Sequence, residues 1–215
     1  MRTARDGADA LREALRAEGG TVAQALDDPP RPRTGDLNRP GPRTGNLDRP
    51  GAQTGNLDRP GAQTGNLDRP GPAQLAAAGP RARGNEREYE LLLEMILEGY
   101  RLHYDEPVVV RTPDVDLALL LGDQLYALGL SRLAALGDLD AVAELADVIS
   151  LAAQARTASD LELAGAIWDA GAVSVGWGAS DAHAEAKACA RAQDPGATEA
   201  LRAAARSVAQ TEDAE

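Results

Sequence analysis

Phenylalanine is absent from this chain of 215 residues, and lysine and cysteine occur once each, as Lys187 and Cys189. A single cysteine excludes an internal disulfide and leaves the redox compartment open. Two histidines and one cysteine are too few for a structural zinc site of thiolates and imidazoles. With only four Tyr and two Trp, the core must be built from Leu, Val and Ala. Bases are outnumbered too: 22 Lys and Arg stand against 34 Asp and Glu, for a net charge of −12. That balance argues against nucleic acid as a partner, whose footprint is a clustered basic face. It also argues against a polybasic anchor on an anionic membrane. Long apolar runs are missing, since a membrane span needs about 18 or more such residues. The most apolar segment, Val115 to Ala135, is interrupted by Asp116, Asp123, Gln124 and Arg132. Met1 to Asp9 is charged with no apolar stretch behind it, which predicts no secretory signal. The expected setting is cytoplasmic.

What the chain does have is a repeat. Pro32–Gly41 reads PRTGDLNRPG, Pro42–Gly51 reads PRTGNLDRPG, and Ala52–Gly61 and Ala62–Gly71 both read AQTGNLDRPG. The period is ten, with one leucine per copy: Leu37, Leu47, Leu57 and Leu67. One leucine per ten residues cannot offset the entropy of ordering the unit. Proline at every tenth position blocks a continuous helix, and glycine works against a strand. Residues 29–84 are therefore expected to form a disordered linker, with the repeats at 32–71. The repeat is either a spacer or an array of weak docking copies that add by effective concentration. Its charge differs from the rest: residues 31–72 carry +3 and residues 73–215 carry −13.

On either side the pattern is helical, and the expected fold class is all-α. Residues 1–28 read as a short helical segment, with Ala8, Leu11 and Leu15 on one face, Gly19–Gly20 as a stop and Thr21 as the next N-cap. The helical core is expected over 85–178. Glu86 to Leu102 places Tyr89, Leu92, Leu93, Ile96, Leu97 and Tyr100 on a core-facing stripe. After a break at Pro107–Val110, Thr112 is expected to cap a helix with Pro113 at its first position. Gly137–Asp138 predicts a tight antiparallel junction. Ser159 and Glu162 suggest a capping box, and Gly165, Gly171 and Gly176 suggest close helix approach. Residues 179–215 form an Ala-rich helical tail, in which His183 is expected at the surface.

Chemistry-bearing residues are sparse, with no phosphate loop, nucleophile elbow or dinucleotide fingerprint. One cluster stands out: His103-Tyr104-Asp105-Glu106, where a core-facing helix gives way to a loop. Two carboxylates at a helix C-terminus oppose the helix dipole unless a cation is near. Arg101 and Arg111 are the expected neutralisers. The functional alternative is the remnant of a divalent-metal or phosphate site.

Leu119-Leu-Leu-Gly-Asp-Gln-Leu-Tyr-Ala127, followed by Leu136-Gly-Asp138 and the helix of Asp140 to Ala153, resembles the polyprenyl (isoprenyl) diphosphate synthases. The resemblance spans roughly residues 88–155 and implies part of the isoprenoid synthase fold. In that family magnesium ions on two Asp-Asp-x-x-Asp clusters hold the allylic diphosphate. Here the only Asp-Asp pair is Asp27-Asp28, and the nearest candidate for the first cluster is broken by Pro107. The chain is also shorter than a full synthase domain. The resemblance thus implies a non-catalytic, synthase-like chain without cofactor. It would pair with a protein partner as a homo- or hetero-oligomer through the helical core. His103, Asp105, Glu106 and Asp123 are the candidate substrate or metal remnant, with Asp123 expected to be buried and structural. Two alternatives stand beside this: an adaptor docking through its repeats, and a weak Mg-dependent prenyl diphosphate enzyme using Asp105, Glu106, Asp114 and Asp123.

Overall fold

The architecture comes from a computed structural model that describes residues 2–27 and 67–212. All regular structure among them is helical. The helices are α1 (Ala4–Glu18), α2 (Gly20–Asp27), α3 (Pro72–Ala78), α4 (Glu86–Tyr104), α5 (Val115–Ala135), α6 (Leu139–Thr157), α7 (Leu161–Trp177), α8 (Asp181–Arg191) and α9 (Ala197–Glu212), with a 3₁₀ turn at Pro80–Ala82 after α3. The all-α expectation holds. No helix among the described residues is long and apolar enough to cross a membrane.

Two helices organise the packing. α4 carries α1, α3 and α5, while α7 carries α3, α6 and α9. α3 is wedged between α4 and α7. This corrects the linker expectation for its last part: residues 72–82 are helical, and Ala73, Ala76, Ala77 and Ala82 are buried. A stretch with one leucine cannot bury itself, but its small side chains let it fit a narrow slot between larger helices. The slot is narrow indeed: a Cβ on Gly79 would lie 2.2 Å from Gly176 O, and one on Gly176 would lie 2.6 Å from Ala76 O. Gly171 is equally crowded by Val148, whereas Gly165 faces open space and has no packing role. The rest of the expected linker, residues 29–66, lies outside the described residues.

The N-terminal segment packs on the body. Thr3 and Asp6 form a capping box on α1, and Leu11 and Leu15 are fully buried. The end of the fourth repeat copy joins it: Ala4 N donates to Arg69 O at 2.9 Å and Arg5 N to Leu67 O at 3.0 Å. Two first-turn amides of α1, free of intrahelical partners by position, are satisfied in this way.

Local signals set the remaining junctions, with two shifts from expectation. Asp114, not Thr112, caps α5, its Oδ1 accepting from Asp116 N at 3.0 Å and Leu117 N at 3.2 Å. Thr112 Oγ1 instead braces Asp114 N. Asp160, not Ser159, caps α7. The Gly137–Asp138 junction forms as expected: Gly137 adopts a φ of 85° and Asp138 caps α6. Asp138 also accepts from Tyr89 Oη at 2.6 Å and from Arg81 at 2.7 Å, tying the turn to α4 and the 3₁₀ turn. Burial and this bond to a carboxylate push the Tyr89 hydroxyl up to about 12.

α4 buries three carboxylates one turn apart: Glu90 and Glu94 where α3 packs on it, and Glu98 under the segment Val108–Val110. Gln74 Nε2 donates to Glu90 at 3.1 Å and to Glu94 at 3.0 Å, and Arg2 reaches Glu90 at 3.0 Å. Burial raises the Glu94 carboxyl, and Arg101 offsets only part of that rise. Glu98 is fully buried and accepts from the amides of Val108, Val109 and Val110. The irregular segment after Pro107 therefore has its backbone donors satisfied by one side chain.

Candidate functional site

The cluster singled out in the sequence sits where α4 ends between α5, α6 and α7. Tyr100, His103 and Tyr104 occupy one side of the last turn of α4, three and four residues apart, so their rings meet. Tyr100 packs on Tyr104 at 5.1 Å and edge-on against Trp168 of α7 at 5.3 Å. The His103 ring stacks on Tyr126 of α5, with centroids 5.4 Å apart and planes 9° apart. This aromatic wedge holds five of the chain's few rings at a single helix end.

Gly122 is what allows it. A Cβ at this position would lie 2.7 Å from the His103 ring, so only glycine lets the imidazole lie flat on α5. Gly122 therefore has a packing reason in this chain, whereas its neighbour Asp123 does not. Gly122→Ala is expected to displace the ring and cost about 1–3 kcal/mol by overpacking, read from urea denaturation. Loss of near-ultraviolet circular dichroism from Tyr126 should accompany it.

The acidic candidates do not converge. Asp123 was expected to be buried, but its side chain is 71% exposed on the outer side of α5. Its Oδ1 lies 3.1 Å from His103 Nε2, outside hydrogen-bonding direction. Arg132, the one base of α5, pairs with Glu18 of α1 and not with Asp123. Asp123→Ala is accordingly expected to change stability by no more than about 0.5 kcal/mol in the same assay, as for most surface positions. Asp105 is held by Arg156 of α6 at 2.9 Å, and the same guanidinium donates to the carbonyl of Tyr104. Arg156 thus neutralises both the acid and the helix C-terminus. Arg101, expected in that role, turns inward to Glu98 at 3.2 Å and Glu94 at 3.8 Å. Glu106 is exposed.

Mg²⁺ requires several oxygen ligands in octahedral array. Among the described residues no group of three or more His, Cys, Asp and Glu is placed to hold a metal ion. His103, Asp105, Glu106 and Asp123 do not fit that ion. What the end of α4 offers is apolar and weakly polar surface. Tyr100 Oη, Tyr126 Oη, His103 Nε2 and Trp168 Nε1 are buried without well-formed hydrogen bonds among the described residues. Burial drives both Tyr hydroxyls far above their ordinary range, so they stay protonated.

A second polar cluster was missed in the sequence. His183, expected at the surface, is 5% exposed and bonds through Nε2 to Glu144 Oε1 at 2.7 Å. Lys187, the only lysine, reaches Glu144 at 2.5 Å and Asp147 at 3.0 Å, and Arg191 reaches Asp147 at 2.7 Å. Burial pushes the Glu144 carboxyl up, but the bonds from His183 and Lys187 outweigh it and hold the group below its ordinary value. The signal was present as His183 and Lys187 one turn apart on α8, opposite Glu144 and Asp147 on α6. Beside His183 is an open depression lined by Ser174, Ser180 and Ala204, with a cavity volume of only about 10 Å³. That is far smaller than the ~300–1,000 Å³ of most ligand pockets.

No family model, no curated protein and no solved structure matches this chain.

Proposed function

We propose that the chain is a non-catalytic helical subunit that acts by binding a protein partner, on the plan implied by its resemblance to the polyprenyl diphosphate synthases. The observation that carries this reading is the outer side of α5. Six large apolar side chains are exposed among the described residues, and five of them, Val115, Leu119, Leu120, Leu136 and Leu139, lie on α5 and its junction with α6. α5 packs chiefly on α4 and only lightly on α6. Val115, Leu119 and Leu120 leave an apolar patch uncovered at the N-terminal end of α5, and an exposed apolar patch is a feature of contact surfaces.

The arrangement of the acids supports the same reading. Ionising an allylic diphosphate requires charge stabilisation at the leaving group. Asp105 is engaged by Arg156, and Asp123 and Glu106 are exposed, so the three do not form a set of metal ligands among the described residues. Co-expression of the chain with a full-length polyprenyl diphosphate synthase of the same organism tests the reading. A stable complex that Leu120→Asp disrupts is the expected result. Separate elution of the two proteins contradicts it.

A further inference from the structure

We propose that the docking of α1 on α4 is coupled to a proton on Glu94, so that this N-terminal arm is held most firmly in acid and loosens as pH rises. The charges around the buried acids of α4 make the case. Glu90 has Arg2 at 3.0 Å. Glu98 has Arg101 at 3.2 Å and the amides of Val108, Val109 and Val110. Glu94 has neither: Arg101 lies 3.8 Å from it and closer to Glu98, and its short contact is with the neutral Gln74 Nε2 at 3.0 Å. Three acids therefore share two guanidiniums, and the set is neutral only when one acid carries a proton. Glu94 is 2% exposed and lacks the amides that hold Glu98, so it is the member for which charge is most costly.

α1 closes over this carboxyl. Gly7 of α1 is buried, and a Cβ there would lie 2.4 Å from Gln74 Nε2 and 2.6 Å from Glu94 Oε1. The bare backbone of α1 thus rests on the hydrogen bond between Gln74 and Glu94. The charged groups around Glu94 are Glu90, Glu98 and Arg101, all on α4, while α3 contributes the neutral Gln74 and α1 the glycine. Burial raises the Glu94 carboxyl above its ordinary 4.5, against the pull of Arg101 and Gln74. With α1 lifted, water returns and the rise shrinks, so the docked form holds a proton that the open form gives up. Docking is unaffected where both forms are protonated. It weakens as pH climbs from 4.5 to the raised value and stays at the weakened level beyond it. Asp6, in the first turn of α1, is held below its ordinary value by Thr3 and titrates on the acid side of that range. The arm is also tied to both ends of α5. Arg111 N, ahead of α5, donates to Ala25 O of α2 at 3.5 Å, and Glu18 of α1 pairs with Arg132 in the last turn of α5. Loosening the arm frees these ties and uncovers Leu11 and Leu15.

The test is amide hydrogen exchange of the full chain, read by mass spectrometry at about pH 5 and about pH 8, on either side of most of the rise. Rates are corrected for the pH dependence of intrinsic exchange, and α7 serves as the internal reference. Protection of α1 relative to α7 is expected to fall about tenfold or more between the two conditions, one unit of raised pKa being a factor of ten in the docking equilibrium. Glu94→Gln keeps the shape without the charge, so α1 should stay protected at both pH values. Gly7→Ala drives a methyl group into Gln74 and Glu94, so α1 should lose protection at both, with α7 as in the parent. Protection of α1 in the parent that is the same at both pH values overturns the inference. So does a pH dependence that Glu94→Gln leaves in place, which would put the proton elsewhere. Equal protection of α1 in Gly7→Ala and the parent overturns the seating of α1 over the carboxyl, and the coupling with it.

Discussion

Glu98→Ala is expected to lower the stability of the fold by about 3–5 kcal/mol, the range for breaking a buried charge arrangement by removing one member. The carboxylate is fully buried and accepts from Val109 N at 2.6 Å, Val110 N at 2.8 Å and Val108 N at 3.1 Å. It also pairs with Arg101 at 3.2 Å. Alanine leaves three amides without their acceptor and one guanidinium without its nearer carboxylate. Each orphaned buried donor costs about 1–3 kcal/mol where water cannot reach it. Glu98→Gln keeps one acceptor oxygen and the volume, and its loss should be smaller. Urea denaturation at neutral pH separates the two. A Glu98→Ala chain as stable as the parent would mean that the segment from Val108 to Val110 finds other partners. The position of α5, which that segment leads into, would then not depend on Glu98.

Glu144→Ala is expected to have a comparable effect, about 3–5 kcal/mol, because it strands the buried His183 and leaves Lys187 with Asp147 alone. Its pH signature tells it apart from a simple packing loss. Burial acts to raise Glu144, yet the bonds from His183 and Lys187 leave it below the ordinary value of 4.5. Asp147 is likewise depressed, burial being outweighed by Arg191 and Lys187. A carboxyl with a depressed folded value stabilises the fold above its ordinary value, and that stability is lost as pH falls through the depressed one. Lys187 behaves in the opposite sense: burial lowers it, the bonds to Glu144 and Asp147 raise it further, and its stabilisation fades as pH climbs through the raised value above 10.5. The parent's advantage over Glu144→Ala should therefore shrink as the solution is acidified below 4.5. An advantage that persists unchanged to low pH would show that the carboxylate charge contributes nothing.

Much of the helical order was legible because it depends on neighbours in sequence. The α4 stripe, the Gly137–Asp138 turn and the α5 span all follow from spacing and from glycine and aspartate at helix ends. The errors came from partners distant in sequence. Nothing local to Glu90, Glu94 and Glu98 announces that Gln74 and the segment Val108–Val110 will bury them. His183 lies in an alanine-rich, charged stretch, and nothing local announces that Glu144, 39 residues earlier, will bury it. Asp123 reads as buried because its surroundings in sequence are apolar. α5, however, is covered on one side, and Asp123 falls on the other. Residues 72–82 read as linker because their small side chains cannot form a core alone, although they complete one made by α4 and α7. At the site, the sequence placed His103 and Asp105 correctly at the end of α4. It did not foresee Arg156, which closes on Asp105 from α6.

The central claim is that this chain binds rather than catalyses. It is tested most directly by incubating the purified chain with radiolabelled isopentenyl diphosphate, farnesyl diphosphate and Mg²⁺, and measuring incorporation of label into longer prenyl diphosphates. The account predicts incorporation no greater than in a protein-free control, with Asp105→Ala behaving as the parent does. Incorporation by the parent that Asp105→Ala abolishes would contradict it.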